Sequence, residues 1–375
     1  MKKIGIITIH NSPNYGASLQ SFALYKYIEQ QGYECELIDL HRPHYVDFKR
    51  SKKYLAYREN SIVKIKRIIK RLIGRKSSLY FSSAKNKFDL FNRQIRLSRP
   101  YCGIDELYAD PPHYDLYITG SDQLWNPAQP FCLEPYFLTF APSEAKKIAY
   151  AASIGITELT ERERGDFKRW LSAYAAVSVR EKQAKALLES FVDREIVQVS
   201  DPTFLLDIEY WHSIAVYPAE KKNYILLFTL SYQTSMLDYA LHLSRESGLP
   251  LICLGQIQPD VEDGSYTAVK DAGPLEFIGY IAQADLVITD SFHGTVFSMI
   301  MGCKNFYTYI APGNKRSSRI TDLLTTFHLQ DHLLNVALSE SYAELNKRKI
   351  NREQFFSIFR KEQFSSRQFL QEQLQ

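Results

Sequence analysis

The 375-residue sequence contains no run of about 18 consecutive apolar residues, so it offers no candidate membrane-spanning helix. Met1-Lys2-Lys3 leads directly into a strand-like segment without a cleavage site, which argues against a signal peptide. Cysteine is sparse. Cys35, Cys102, Cys132, Cys253 and Cys303 are scattered, odd in number and free of C-x-x-C or Cys/His spacing. That pattern excludes a disulfide framework and implies reduced thiols in a cytoplasmic protein. The carboxylates and histidines lack metal-ligand spacing, so metal independence is expected. The dinucleotide fingerprint G-x-G-x-x-G is missing as well, and no cofactor is implied. A net charge of +4 is too small an excess to mark a nucleic-acid partner.

What is present is ordinary globular material: 45% hydrophobic and 23% charged residues, in a chain long enough for two domains. Tyrosine (25) and phenylalanine (22) are plentiful, which reads either as compositional drift or as a carbohydrate-facing surface. Lys3 to Ile9 is an apolar, β-rich first strand, and the polar loop His10 to Gly16 follows it. Ala17 to Gln31 has helical spacing and stops at Gly32, and Cys35 to Leu40 is a second strand. This β-loop-α-β unit begins a doubly wound sheet, which continues through strands at Tyr114–Thr119, Lys147–Ser153, Ala176–Val179 and Ile196–Val199. Helices are expected at Glu158–Tyr174 and Glu181–Leu188. Ser200-Asp201-Pro202-Thr203 reads as a turn closing the first domain, and Asp207 to Lys222 as a polar link. The pattern then restarts with strands at Tyr224–Thr229, Pro250–Leu254 and Phe306–Ile310 and helices at Ser235–Ser247 and Pro274–Ala282.

The expected fold class is therefore α/β and GT-B-like, with two Rossmann-like domains whose parallel sheets face each other across a cleft. The boundaries fall at 1–210, 211–335 and 336–375, the last a helical tail that packs back on the first domain. A periplasmic-type binding protein shares this alternation, but the missing signal peptide argues against it. Residues 49–76 stand apart, with 12 Lys or Arg against one acid, Glu59, inside a basic helical insert at about 45–100. Ile62, Ile65, Ile69 and Leu72 share one helical face there. The stretch is either a solvated helix or a basic amphipathic helix lying on an anionic membrane surface.

The chain is organised around Ala284 to Gly302. Leu286-Val287-Ile288 is a short buried strand, Thr289 to Gly294 places polar groups at its end, and Thr295 to Met301 is an apolar helix. Ligands of open α/β sheets bind at the carboxyl ends of strands, and a helix N-terminus there favours anions. His293 is thus placed for acid/base chemistry, with Asp290 or Asp122 as its partner. Ser291, Gly294 and Thr295, at the same helix start, are candidates to bind the anionic donor, and Asp290 reads equally as a helix cap. Arg180, beyond one strand and before a helix, is a clamp for phosphate or carboxylate. Asn14, Tyr15, Gly16 and Gln20 open the first helix, where backbone groups can hold a phosphate or a sugar hydroxyl. Gly120 to Asn126 combines a helix-cap signal with Gln123, Trp125 and Asn126, a stacking face and amides suited to a sugar.

Several segments together resemble the polysaccharide pyruvyl transferase family: Asn14 to Leu40, Ile118 to Asn126, Ser178 to Glu181, Ser200 to Leu206 and Ala284 to Ser298. The resemblance implies a GT-B-like fold and transfer of the pyruvyl group of phosphoenolpyruvate to a sugar hydroxyl pair, forming a cyclic ketal. The acceptor it implies is a cell-surface saccharide or its lipid-linked precursor, met in the cytoplasm or at the inner face of the membrane. Arg180 looks like the arginine that grips the donor anion, and His293 like the histidine of the Arg-Leu-His-Gly segment seen in some members. Here that segment reads Ser291-Phe292-His293-Gly294, so the arginine is absent, and Arg316 or Arg319 from the loop Pro312 to Arg319 is expected to supply the charge. A GT-B glycosyltransferase using a nucleotide sugar and a non-catalytic carbohydrate-binding relative are the competing readings.

Overall fold

Strand β1 (Lys3–Ile7, KIGII) is buried along four of its five residues, as an interior strand covered on both faces must be. A computed structural model describes the chain apart from residues 1, 11, 44, 56–77, 130, 220–222, 231–232, 256–263 and 314–317. Most of the basic stretch 49–76 therefore lies outside the described residues, as does Arg316.

β1 is joined by β2 (Glu34–Leu37), β3 (Leu116–Thr119), β4 (Lys146–Ala152), β5 (Ala176–Val179) and β6 (Val197–Gln198). They make one parallel sheet in the order β2-β1-β3-β4-β5-β6, in which Ile4 aligns with Cys35 on one side and Leu116 on the other. A second parallel sheet takes the order β11-β10-β7-β8-β9. Its strands are β7 (Ile225–Thr229), β8 (Leu251–Gly255), β9 (Thr267–Ala268), β10 (Leu286–Thr289) and β11 (Phe306–Thr308). The described helices of the first half are α1 (Tyr15–Gln30), α2 (Ser78–Asn92), α3 (Ile104–Ala109), α4 (Glu161–Leu171), α5 (Lys182–Glu189) and α6 (Ile208–Ile214). In the second half follow α7 (Thr234–Ser247), α8 (Pro274–Gln283), α9 (Phe292–Ile300), α10 (Ser318–Thr326), α11 (Tyr342–Lys347) and α12 (Arg352–Leu374). Helices alternate with parallel strands in both halves, so each sheet presents its carboxyl edge in one direction.

The largest apolar cluster belongs to neither half alone. It runs from Ile4, Leu19 and Phe22 through Phe204 and Trp211 to Phe277, Val296 and Phe297. Tyr15 is the plainest bridge: its ring stacks on Phe277 at 4.5 Å and 2°, and its hydroxyl donates to the Ala272 carbonyl at 2.9 Å. Separate clusters cover the outer face of each sheet. α12 lies across the first domain. Arg367 donates to the Leu205 carbonyl, Gln363 to those of Phe204 and Leu206, and Lys146 to that of Gln373.

Capping explains where helices start. Asn14 accepts from the Ala17 N–H and Ser291 from the Gly294 N–H, so α1 and α9 begin earlier than apolar spacing alone suggests. Thr160 and Glu163 form a reciprocal capping box that starts α4 at Glu161, later than expected. The segment Asp207 to Lys222, read as a polar link, contains α6 with the fully buried Trp211, whose indole N–H donates to the Thr203 carbonyl. The expected turn at 200–203 is a packed 3₁₀ turn, Pro202–Leu205, held against α1 and α12.

Candidate active site

Three strand ends converge. Arg180 follows β5, Asp201 follows β6, and His293 is the second residue of α9, just beyond β10. Asp201 is fully buried. Its Oδ1 accepts from the backbone N–H and hydroxyl of Thr203 at 3.0 and 2.8 Å, and its Oδ2 accepts from Arg180 Nη1 at 2.6 Å. His293 Nε2 stands 3.4 Å from the same Oδ2, within ion-pair reach but off the line of a hydrogen bond. Burial pushes the Asp201 carboxyl up, yet His293 and Arg180 outweigh it and hold the group well below the usual carboxylate range. Burial opposes the Arg180 charge, and Asp201 and Glu181 more than restore it.

His293 is fixed from the other domain too. A Cβ on Gly16 would lie 2.1 Å from its Nδ1, so only glycine lets the start of α1 approach the imidazole. The N-terminal turns of two helices, α1 from one domain and α9 from the other, thus meet at one ring. Their dipoles favour an anion there. The Arg180 and Arg319 guanidiniums lie 4.5 and 5.5 Å over the Phe292 ring. Among the described residues, Arg180 Nη2, His293 Nε2, Glu181 Oε2, Gln123 Nε2 and Ser153 Oγ are buried polar atoms without a hydrogen-bond partner. Buried donors and acceptors left this way call for an explanation, and a ligand supplies one. A narrow cavity of about 40 Å³ runs between Arg180, Asp201 and Phe292 on one wall and Arg319 and Asp322 on the other.

The remaining candidates are placed as follows. Asp290 is engaged by the β7–α7 connection: its Oδ1 accepts from the Leu230 N–H at 2.7 Å and its Oδ2 from Gln233 Nε2 at 3.0 Å. Asp122 turns its carboxylate to the Gln123 N–H at 2.8 Å and adopts a left-handed φ of 77°, near enough to Arg180 to support its charge. The partner of His293 is Asp201, which the chain presents as a turn residue. Ser291 caps α9, Gly294 packs against the Thr289 side chain, and Thr295 bonds Thr308 and the Ser291 carbonyl, so all three shape the helix start. Trp125 offers no stacking face. It is fully buried, stacked on Phe137 at 4.7 Å and bonded through its indole N–H to the Tyr136 carbonyl. Tyr15 and Gln20 are likewise interior, Gln20 bonding Thr8, Ile9 and Ala17. Asn126 donates weakly to Gln123 and accepts from the Ala128 N–H, while Asn14 caps α1.

Two parallel-sheet α/β domains with a charged constellation between their strand ends define a GT-B protein. Solved structures share that fold at low identity. The UDP-GlcNAc 2-epimerase of Methanocaldococcus jannaschii matches at 12% identity and a TM-score of 0.51, over 93% of this chain and 94% of its own. MnaA of S. aureus, solved with UDP, matches at 12% identity and a TM-score of 0.52, over 99% and 95%. No curated protein matches the sequence. The polysaccharide pyruvyl transferase profile matches residues 14–310, and the chain belongs to that family.

Proposed function

We propose that the protein transfers the pyruvyl group of phosphoenolpyruvate to a pair of hydroxyls on a cell-surface saccharide or its lipid-linked precursor, releasing phosphate. The observation that carries this reading is the buried Arg180–Asp201–His293 constellation, where an imidazole lies between two helix N-termini beside a guanidinium with a spare N–H. Phosphoenolpyruvate is a small polyanion with a carboxylate and a phosphate, which such a site suits electrostatically. Arg180 and Arg319 bind the anion, and His293 gives a proton to the methylene carbon. The cation that forms at the adjacent carbon is attacked by one sugar hydroxyl, whose proton returns to the imidazole. The second hydroxyl then displaces phosphate, which carries off its proton, and the ketal closes. Asp201 positions His293 and balances its charge; it does not itself touch the donor.

The test is phosphate release from phosphoenolpyruvate in the presence of saccharide diols, with UDP-sugars as the competing donor. Phosphate release that depends on both substrates, and that falls by about 10²–10⁴-fold in His293→Ala, is the expected result. Turnover with a nucleotide sugar alone overturns the proposal in favour of a glycosyltransferase. Full activity in His293→Ala removes the assigned acid. The basic stretch 49–76 offers a contact to an anionic bilayer, and salt-sensitive flotation with anionic vesicles tests it.

A further inference from the structure

At the far edge of the first sheet, away from Arg180, a second polar cluster assembles; β1, β3 and β4 separate its strand, β2, from β5. Beyond β2 the His41 N–H donates to the Tyr101 carbonyl at 2.9 Å, and the Lys49 N–H donates to the Cys102 carbonyl at 2.7 Å. These bonds set His41 and Lys49 alongside Tyr101 and Cys102. His41 Nδ1 lies 2.8 Å from Asp47 Oδ1, and Cys102 Sγ lies 3.3 Å from Asp47 Oδ2. One ligand atom from each residue falls within 4.8 Å of the others. The imidazole is held by more than this cluster. Its ring stacks on Tyr45 at 4.0 Å and 13°, and its Nε2 stands 3.6 Å from Oδ2 of the buried Asp39. Oδ1 of Asp39 is in turn 3.0 Å from His10 Nε2.

We propose that His41, Asp47 and Cys102 bind a divalent cation of the zinc class. His41 Nδ1 and Cys102 Sγ both turn toward the Asp47 carboxylate, so nitrogen, oxygen and sulfur donors meet at one point. With Nδ1 as the ligand atom, the Asp39 carboxylate stands behind the ring, 3.6 Å from Nε2. This is the carboxylate–histidine–metal arrangement, in which an outer carboxylate fixes the tautomer of the ligating ring. A tetrahedral zinc with bonds of about 2.0–2.3 Å sets its ligand atoms about 3.3–3.8 Å apart, so the observed separations need only small side-chain adjustments. A mixed nitrogen, oxygen and sulfur set selects against magnesium and calcium, which prefer oxygen alone. Three protein ligands leave the fourth position to water. Binding converts the Cys102 thiol to thiolate, and its proton passes to solvent. The sequence hides this site because its ligands are far apart in the chain and have no motif spacing.

The test uses the full chain, stripped with a chelator and titrated with cobalt(II) as the probe. One equivalent is expected to produce a near-ultraviolet thiolate-to-cobalt charge-transfer band, which zinc bleaches and magnesium does not. Cys102→Ser should abolish the band. Asp47 is an exposed loop residue, so Asp47→Asn should leave the melting temperature of the metal-free chain unchanged while weakening cobalt binding at least about tenfold. The proposal is overturned if no such band appears, if the band survives Cys102→Ser, or if Asp47→Asn binds cobalt as the wild type does.

Discussion

Asp201 shows how much one carboxylate can control. It accepts from Arg180 and Thr203 and faces His293, and its side chain has no exposure. Replacing it with asparagine keeps the shape and removes the charge. Breaking a buried pair of this kind costs about 3–5 kcal/mol, and turnover should fall about 100-fold or more because His293 loses its counter-charge. The stability effect has a definite sign with pH. Asp201 holds its proton less tightly when folded than when unfolded, so its stabilisation is present above about pH 4, the unfolded value, and fades as pH falls below it. Wild type and Asp201→Asn should therefore converge in urea stability as the pH drops below 4, and parallel curves would contradict this. Gly16 is the second sensitive point. Gly16→Ala drives a methyl into the His293 ring, and a displacement of this size should lower kcat about 100-fold while circular dichroism stays native.

At the scale of elements, the β10–turn–α9 segment could be read from sequence because each signal is local. An apolar β-branched run ends, a serine caps, and an apolar helix follows. The partner of its histidine could not. Asp201 sits in a Ser-Asp-Pro-Thr string whose turn signal is correct, and only the pairing of β6 with β5 brings that turn beside Arg180. Trp125 misleads for another reason: tryptophan flanked by amides looks the same whether its ring meets a sugar or, as here, Phe137 and Tyr174. The tail is a third case, since its composition predicts a helix but not the surface it covers. α12 buries Phe355, Phe359, Phe369, Leu370 and Leu374. Leu370 is fully buried, so Leu370→Ala should cost about 2–5 kcal/mol in urea unfolding without altering the donor KM.

The whole molecule behaves as one body in one respect: the cluster through Tyr15, Trp211 and Phe277 is common to both sheets. Scanning calorimetry should give a single unfolding transition. Fragments 1–210 and 211–375, made separately, should be insoluble or unfolded, because each exposes half of that cluster. Two resolved transitions, or a well-folded isolated fragment, would show that the shared cluster is dispensable. The position of α12 adds a constraint on timing. Phe204 and Leu205 rest on α1 early but gain the cover of α12 only once residues 352–374 have been made, so the lobe translated first carries exposed apolar surface until then.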